Sequence, residues 1–263
     1  MSYKSDMHIH SWFSDGTLSP ADIVKKYSRE EYGIISITDH ETTEGIEQAR
    51  LEGEKADLKV VTGIELPALY REKELHILGY YFDPADRALS EKLRFLAVKR
   101  KERNEKLLAA LIKKGFDISG EDLLKREGQT YTGKPDFARA LVKKGYVRSV
   151  ADAFSPGKFL EDPEIKKIKK YKMPAGEAIE LIRGAKGIPV LAHPCKIKGI
   201  GERGSAVFRE NFDSLLRDLK KAGLGGLECI YPKHTEEERF FFIDEASRYH
   251  LHITEGSDFH GDR

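Results

Sequence analysis

A chain of 263 residues, 40% hydrophobic and 34% charged, is long enough for one large globular domain or two small ones. Its two cysteines, Cys195 and Cys229, lie far apart without a CxxC pair, which argues against a disulfide framework and a zinc ribbon. The net charge is +1, no apolar run has the roughly 18 residues of a membrane span, and residues 1–20 lack a signal-peptide core. The sequence therefore predicts a cytoplasmic protein without membrane association.

Short apolar segments that predict strands alternate with segments of helical periodicity. The predicted strands are Met7–Ile9, Ile34–Ile37, Lys59–Ile64, Leu75–Tyr80, Val190–Ala192, Gly226–Ile230 and Ile253–Thr254. The predicted helices between them are Ala21–Glu31, Thr43–Lys55, Gly176–Gly184, Phe208–Ala222 and Glu236–Tyr249. Because strands that alternate with helices form βαβ units, this order predicts an α/β protein with a parallel sheet, open or closed.

The alternation breaks between residues 84 and 173. This segment contains two predicted helices, Leu89–Lys114 and Pro135–Lys144. We interpret it as a helical insertion that caps a discontinuous β/α unit formed by residues 1–83 and 174–263. From Lys92 to Lys172 the chain has 22 Lys and Arg against 11 Asp and Glu, which suggests an anionic partner. A solvated helical surface would give the same imbalance.

Histidines and carboxylates accumulate at or near the predicted strand ends. Nine residues are candidate metal ligands: His8, His10, Asp15, His40, Glu65, His76, His193, Asp258 and His260. Because the carboxyl ends of parallel strands meet at one face, we expect these side chains to converge there. Imidazole and carboxylate groups suit Mn, Fe or Zn, and one cation needs three or four ligands, so two or three divalent ions are predicted. Clustered cations without thiolates are typical of phosphate-ester hydrolysis, in which a metal-bound water becomes the nucleophile.

The motifs DxHxH…SDG, TDH, GxE, AHP and GSDFHG, in this order, resemble the PHP superfamily, named for polymerase and histidinol phosphatase. The resemblance spans Asp6 to Gly261 and implies a distorted seven-stranded (β/α)7 TIM-like barrel with a trinuclear metal centre. It also implies how the ligands are shared. One metal would take His8, His10, Glu65 and Asp258, a second Glu65, His76 and His193, and a third Asp15, His40 and His260.

Within this superfamily the chain is most similar to the stand-alone phosphoesterases that include nucleoside 3',5'-bisphosphate phosphatases and a short-RNA 5'-to-3' exonuclease. The helical insertion and the stretches RERN, GKPDFARAL and YPKHT carry that likeness. They make Arg103, Lys134, Arg139 and His234 candidate substrate contacts, with His234 also a candidate proton donor. Arg139 and His234 could equally lie on a solvated surface. Asp136, where relatives carry histidine, would repel a phosphate unless it is paired or turned away.

The expected activity is that of a metal-dependent phosphoric ester hydrolase. Its substrate would be a nucleoside 3',5'-bisphosphate, an AMP-like nucleotide or a short 5'-phosphorylated RNA. A histidinol-phosphate or sugar-phosphate phosphatase is the first alternative, because the same metals would serve it. A non-catalytic, metal-stabilised nucleic-acid-binding module is the second. No obligate protein partner is evident from the sequence.

Overall fold

The computed structural model describes residues 4–124, 126 and 129–261, which form eight strands and eight α-helices. The strands are β1 (Lys4–Ile9), β2 (Tyr32–Ile37), β3 (Lys59–Tyr70), β4 (Lys73–Tyr80), β5 (Met173–Pro174), β6 (Ile188–Leu191), β7 (Gly226–Ile230) and β8 (His252–Glu255). The helices are α1 (Pro20–Arg29), α2 (Ile46–Ala56), α3 (Arg87–Lys113), α4 (Lys134–Lys143), α5 (Pro163–Lys166), α6 (Ala175–Gly184), α7 (Ala206–Lys221) and α8 (Glu236–Arg248). No helix in these ranges is both long and apolar enough to cross a membrane.

Side-chain caps fix where several helices begin. The Ser19 hydroxyl accepts a hydrogen bond from the Asp22 N–H, and Pro20 occupies the first turn of α1. At α8, Thr235 and Glu238 form a reciprocal capping box, which satisfies two backbone N–H groups at the helix start. These caps agree with the predicted starts of α1 and α8 to within one residue.

The strands lie in the order β1-β2-β3-β4-β6-β7-β8, with β5 paired to β3 beside this path. Pairing is parallel at every step except at β4, which is antiparallel to both β3 and β6. The expectation of an all-parallel sheet is therefore wrong at β4. The physical reason is the two-residue turn at Arg71 and Glu72, whose φ angles of 45° and 65° reverse the chain as a tight hairpin.

The sheet is open, so the predicted closed seven-stranded barrel is not what the structure shows. Its two edge strands are linked beyond the end of β8, through an isolated bridge between Ile9 and Phe259. Beyond β8, the Asp258 N–H donates to the His8 carbonyl oxygen at 2.8 Å and the His10 N–H donates to the Phe259 carbonyl oxygen at 2.8 Å. The architecture is an α/β fold with a mixed sheet and flanking helices.

Two apolar clusters show how the predicted insertion relates to the sheet. One cluster lies entirely within residues 107–165 and includes Leu107, Phe137 and Leu160. The larger cluster contains β-strand and helix side chains together with Leu89 and Leu96 of α3. Helix α3 therefore packs its first half on the sheet's core and its second half in the insertion's own core. The division at residue 84 remains a prediction.

A buried charge cluster ties the insertion to the sheet. Glu41, 2% exposed, lies next to His40 and accepts a hydrogen bond from Arg100 Nη1 on α3 at 2.6 Å. Its other oxygen is 2.8 Å from Lys170 Nζ, near the end of the insertion. Arg100, 4% exposed, also lies over the Tyr131 ring at 4.2 Å. One carboxylate thus joins both ends of the insertion to the loop that follows β2.

Replacing Glu41 by alanine should lower the free energy of unfolding by about 3–5 kcal/mol, because Arg100 and Lys170 would keep buried charges without a counter-ion. Urea denaturation would measure the change. Glu54→Ala, which removes an exposed ion pair with Arg50, is the matched control and should change stability by less than about 1 kcal/mol. Equal effects of the two substitutions would show that Glu41 does not fasten the insertion.

Candidate metal centre

The nine candidate ligands converge at one end of the sheet. His8 lies in β1 and His10 just after it, while His193 follows β6, and Asp258 and His260 follow β8. The remaining four are Asp15 and His40 in loops and Glu65 and His76 within strands. Glu65 and His76 thus lie inside the β3–β4 hairpin, not at strand ends as their sequence positions suggested, because β3 continues to Tyr70 before the chain reverses.

Glu65 is at the centre of the cluster and is fully buried. Its Oε1 lies 2.7 Å from His76 Nδ1 and 3.0 Å from His193 Nε2. Its Oε2 lies 3.0 Å from His40 Nδ1 and 3.2 Å from His10 Nε2. Four imidazoles on four separate segments therefore face a single carboxylate, which is the arrangement expected of a bridging ligand.

His8 and His10 point their Nε2 atoms at each other, 3.2 Å apart. Oδ1 of Asp258 lies 3.5 Å from the first of these nitrogens and 3.4 Å from the second. Two neutral imidazoles cannot both direct lone pairs at one point unless a proton or a cation lies between them. The H-x-H spacing on a strand places both rings on one side of the sheet, as its period of two requires.

Asp15, His40 and His260 form the outer part of the cluster. Asp15 Oδ1 lies 3.2 Å from His260 Nε2, and Asp15 Oδ2 lies 3.8 Å from His40 Nε2. The rings of His10 and His260 are stacked with centroids 4.3 Å apart, so this part adjoins the His8–His10 pair. It matches the third group of ligands implied by the family resemblance.

Four overlapping groups have ligand atoms within 4.8 Å of one another, and together they contain all nine predicted residues. The groups are His10–Asp15–His40–His260, His8–His10–Asp258, His8–Glu65–His193 and His40–Glu65–His76. Six imidazoles and three carboxylates are a donor set that suits Mn, Fe and Zn. Their convergence is a property of the fold; their role as ligands is a proposal.

Two buried atoms at the centre make no hydrogen bond within the described chain. They are Nδ1 of His40 and Oε2 of Glu65, which face each other at 3.0 Å. A buried polar atom without a partner is costly unless something satisfies it. Both atoms carry lone pairs suited to a cation, so the residues fit a metal centre.

Protonation of the imidazoles opposes cation binding at this centre. Burial alone would lower the pKa of His10, but the carboxylates of Asp258 and Glu65 beside it raise that pKa to about 10. At His76 burial is likewise outweighed, and the charge of Glu65 raises the pKa to about 9. Burial prevails at His40 and lowers its pKa to about 3. Because a ligating imidazole must be unprotonated, cations would compete with protons at His10 and His76.

A layer of buried carboxylates, which sequence reasoning missed as a feature of the site, holds the ligand segments. Asp6 accepts hydrogen bonds from the N–H and hydroxyl of Ser257, which fixes the segment before Asp258. Asp39 accepts the hydroxyl protons of Ser11 and Ser14 and so shapes the loop before Asp15. It does not cap the following helix, because the N-cap of α2 is Gly45.

Glu228 in β7 is the third member of this layer. One oxygen lies 2.9 Å from His8 Nδ1, and the other accepts the His193 N–H at 2.6 Å. An acidic residue inside the predicted strand Gly226–Ile230 was the available signal for Glu228. The contacts of Glu228 with His8 and of Asp6 with Ser257 span more than 200 residues, so no local pattern predicts them.

The candidate substrate contacts divide into two pairs. Arg103 and Lys134 line a cavity of about 770 Å³ that adjoins the cluster at Asp15, His40 and His76. Arg139 instead pairs with Asp136 at 2.7 Å. His234 is 7% exposed, so it is not a surface residue, and its Nδ1 lies 2.9 Å from the Cys229 carbonyl oxygen.

Arg139 and His234 are absent from the described lining of this cavity and of a smaller one of about 400 Å³ that is also lined by His40 and His76. The geometry therefore gives no support to substrate contact by either residue. Asp136 presents no obstacle to an anion. It is 1% exposed, accepts the Gly133 N–H at the start of α4 and pairs with Arg139.

The PHP domain family matches residues 6–161, which is more than half of the chain and contains six of the nine candidate ligands. The chain belongs to the PHP family. This PHP protein is 30% identical to a 5'-3' exoribonuclease from Haemophilus influenzae over 99% of its own length and 91% of the relative's. It is 27% identical to a 3',5'-nucleoside bisphosphate phosphatase from Chromobacterium violaceum, over 97% and 86% of the two chains.

A solved structure has the same fold as this PHP protein. It comes from Bifidobacterium adolescentis and is described as that of a metal-dependent phosphoesterase. The two superpose with a TM-score of 0.84 at 28% identity, over 99% of this chain and 89% of the other. The resemblance inferred from the motifs is thereby confirmed.

Proposed function

We propose that this PHP protein is a metal-dependent hydrolase of nucleotide phosphate esters, with a nucleoside 3',5'-bisphosphate as its first candidate substrate. Two or three divalent ions would be held by His8, His10, Asp15, His40, Glu65, His76, His193, Asp258 and His260. When bound, such ions lower the pKa of a coordinated water towards neutrality and neutralise phosphoryl oxygens. The metal could be Mn, Fe or Zn, since all three accept this donor set.

The charge balance of the cluster favours an anionic substrate. Its three carboxylates carry fewer negative charges than two or three divalent cations carry positive ones. The loaded centre would therefore keep a net positive charge and attract a phosphate group. Buried side chains around it exclude bulk water, which strengthens this attraction.

The observation that carries the proposal is that two cations beside the centre, Arg103 and Lys134, have no salt-bridge partner in the described chain. Arg103 is 6% exposed, and neither a hydrogen bond nor an ion pair joins it to the described residues. Lys134 likewise has no carboxylate within salt-bridge distance in the described chain, whereas Lys170 and Lys172 are paired with Glu41 and Glu74.

A buried, unpaired guanidinium is unfavourable unless an anion binds to it. Arg103 can donate two parallel hydrogen bonds to a phosphate, which makes it suited to a second phosphate of the substrate. A substrate with two phosphates would then place one at the metal cluster and the other at Arg103 and Lys134. Burial lowers the pKa of Lys134, and a phosphate near it would oppose that shift.

Short 5'-phosphorylated RNA is the second candidate, favoured by the smaller cavity. Lys196, Tyr231 and Lys233 line it together with His193 and Asp258. The two cavities share His40 and His76 in their linings, so they adjoin each other at the cluster. A substrate longer than one nucleotide could occupy both.

The test is phosphate release from adenosine 3',5'-bisphosphate, AMP and histidinol phosphate in Mn²⁺-containing buffer, with and without a chelator. We expect chelator-sensitive turnover that is fastest with the bisphosphate. Faster hydrolysis of histidinol phosphate would reject the nucleotide assignment and favour the first alternative. Tight RNA binding with no turnover of these esters or of 5'-phosphorylated RNA would favour a non-catalytic binding module.

A further inference from the structure

Glu228 is a buried acid in an apolar strand. It is fully inaccessible to solvent, and its neighbours Leu227 and Cys229 are inaccessible too. An isolated carboxylate is costly in such surroundings unless each oxygen is hydrogen-bonded. Both Glu228 oxygens are hydrogen-bonded. Their partners are the His8 ring and the His193 backbone N–H, which both belong to candidate metal ligands.

Close packing fixes the position of the Glu228 carboxylate relative to the His8 side chain. A Cβ atom built at Gly256 would lie 2.6 Å from Glu228 Oε1 and 2.3 Å from His8 Cβ, so only glycine fits there. The chain at His193 is also constrained, because its φ of 26° is unusual for a residue with a side chain. The hydrogen bond from the His193 N–H to Glu228 stabilises that conformation.

We propose that Glu228 is a positioning residue that fixes the tautomer of His8 and the backbone of His193. The inference rests on the proposed metal centre. Glu228 accepts a hydrogen bond from the Nδ1–H of His8, so Nε2 of that ring carries the lone pair. That nitrogen faces His10 Nε2 at 3.2 Å and oxygens of Glu65 and Asp258 at 3.5 Å, which is where a cation would be held. A histidine ligand oriented through its other nitrogen is a general requirement of metal sites.

The substitution Glu228→Gln tests whether Glu228 acts by accepting hydrogen bonds from His8 and His193 or only by filling space. Glutamine has nearly the same shape, but it offers one acceptor oxygen and one donor NH₂ group. The His193 N–H can only donate, so it takes the oxygen. The NH₂ group must then face His8 Nδ1, which has to accept, and the ring proton moves to Nε2. A protonated Nε2 cannot bind a cation.

The opposite orientation of the glutamine amide fails as well, because its NH₂ group would meet the His193 N–H. In either orientation of the amide, His8 or His193 loses the hydrogen-bonding arrangement that Glu228 provides. We expect Zn²⁺ and Mn²⁺ affinities about 10- to 100-fold weaker in Glu228→Gln, measured by competition with a chelating indicator. Glu245→Gln is the matched control, since Glu245 is 5% exposed but lies in α8 away from the cluster.

The tautomer of His8 would be determined by ¹⁵N NMR of histidine-labelled protein loaded with Zn²⁺. Wild type should show the His8 proton on Nδ1, and Glu228→Gln should show it on Nε2. A wild-type proton on Nε2, or a variant with unchanged affinity, would overturn the proposal. The wild-type spectrum decides even if the variant does not fold. Absence of any Zn²⁺ or Mn²⁺ binding by wild type would instead reject the metal centre on which the inference rests.

Discussion

Asp258→Asn is expected to reduce the rate of phosphate release on the order of 10³-fold, a loss comparable to removing a key electrostatic group from an active site. Asp258 Oδ1 is the carboxylate oxygen that faces both His8 Nε2 and His10 Nε2. An amide carries no charge and is a weaker ligand for a divalent ion. Asparagine tolerates the left-handed φ of 57° at this position, so the backbone should keep its conformation.

Bound metal, steady-state rate and thermal unfolding of the Asp258→Asn protein would be measured together. Metal content and rate should fall while the melting temperature of the metal-free protein changes by only a few degrees. Asp244→Asn is the control, because Asp244 is exposed on α8 and remote from the cluster. Retention of the wild-type rate by Asp258→Asn would reject its role as a ligand.

Arg103→Met is expected to lower kcat/KM for adenosine 3',5'-bisphosphate about 10- to 100-fold, because a charge-assisted contact worth about 1.5–3 kcal/mol is lost. AMP, which lacks the second phosphate, should be affected far less. Methionine has a similar length and leaves no unpaired buried charge. Stability should therefore stay equal or rise, since the unpaired guanidinium of Arg103 is itself unfavourable in its buried position.

Steady-state kinetics with both nucleotides, alongside urea denaturation, would test this expectation. Lys106→Ala removes an exposed positive charge from the same helix outside the cavity lining and should leave both substrates unaffected. If Arg103→Met slowed both nucleotides equally, Arg103 would act on the scissile phosphate or on the fold. It would then have no role in recognising a second phosphate.

The set of nine candidate ligands was predictable because each motif is local. The H-x-H spacing of His8 and His10 on a predicted strand indicates that both point to the same side. Asp258 and His260 are indicated by their position after the last predicted strand. Each pattern alone is weak, but the parallel order of strands brings their ends together. The structure brings all nine residues together, including His76, whose strand β4 was expected to run the other way.

The hairpin and the supporting carboxylates were not predictable from local patterns. The apolar run Leu66–Tyr70 extends β3 well past Glu65, and Arg71 and Glu72 form its turn without the Asn or Gly that usually signals one. Glu228 contacts His8 across 220 residues, and Glu41 contacts Arg100 across 59. Such pairs depend on tertiary packing, which propensity and periodicity do not encode.

We propose that the nine-residue cluster is a metal centre at which a nucleotide phosphate ester is hydrolysed. The most direct test is to remove metal from the protein with a chelator, dialyse the chelator away and add Mn²⁺ in steps. Bound Mn²⁺ and phosphate release from adenosine 3',5'-bisphosphate would be measured at each step. We predict no release from the stripped protein and a rate that rises with occupancy until two or three ions are bound. If the stripped protein hydrolysed the bisphosphate at the full rate, hydrolysis would not depend on metal at this cluster.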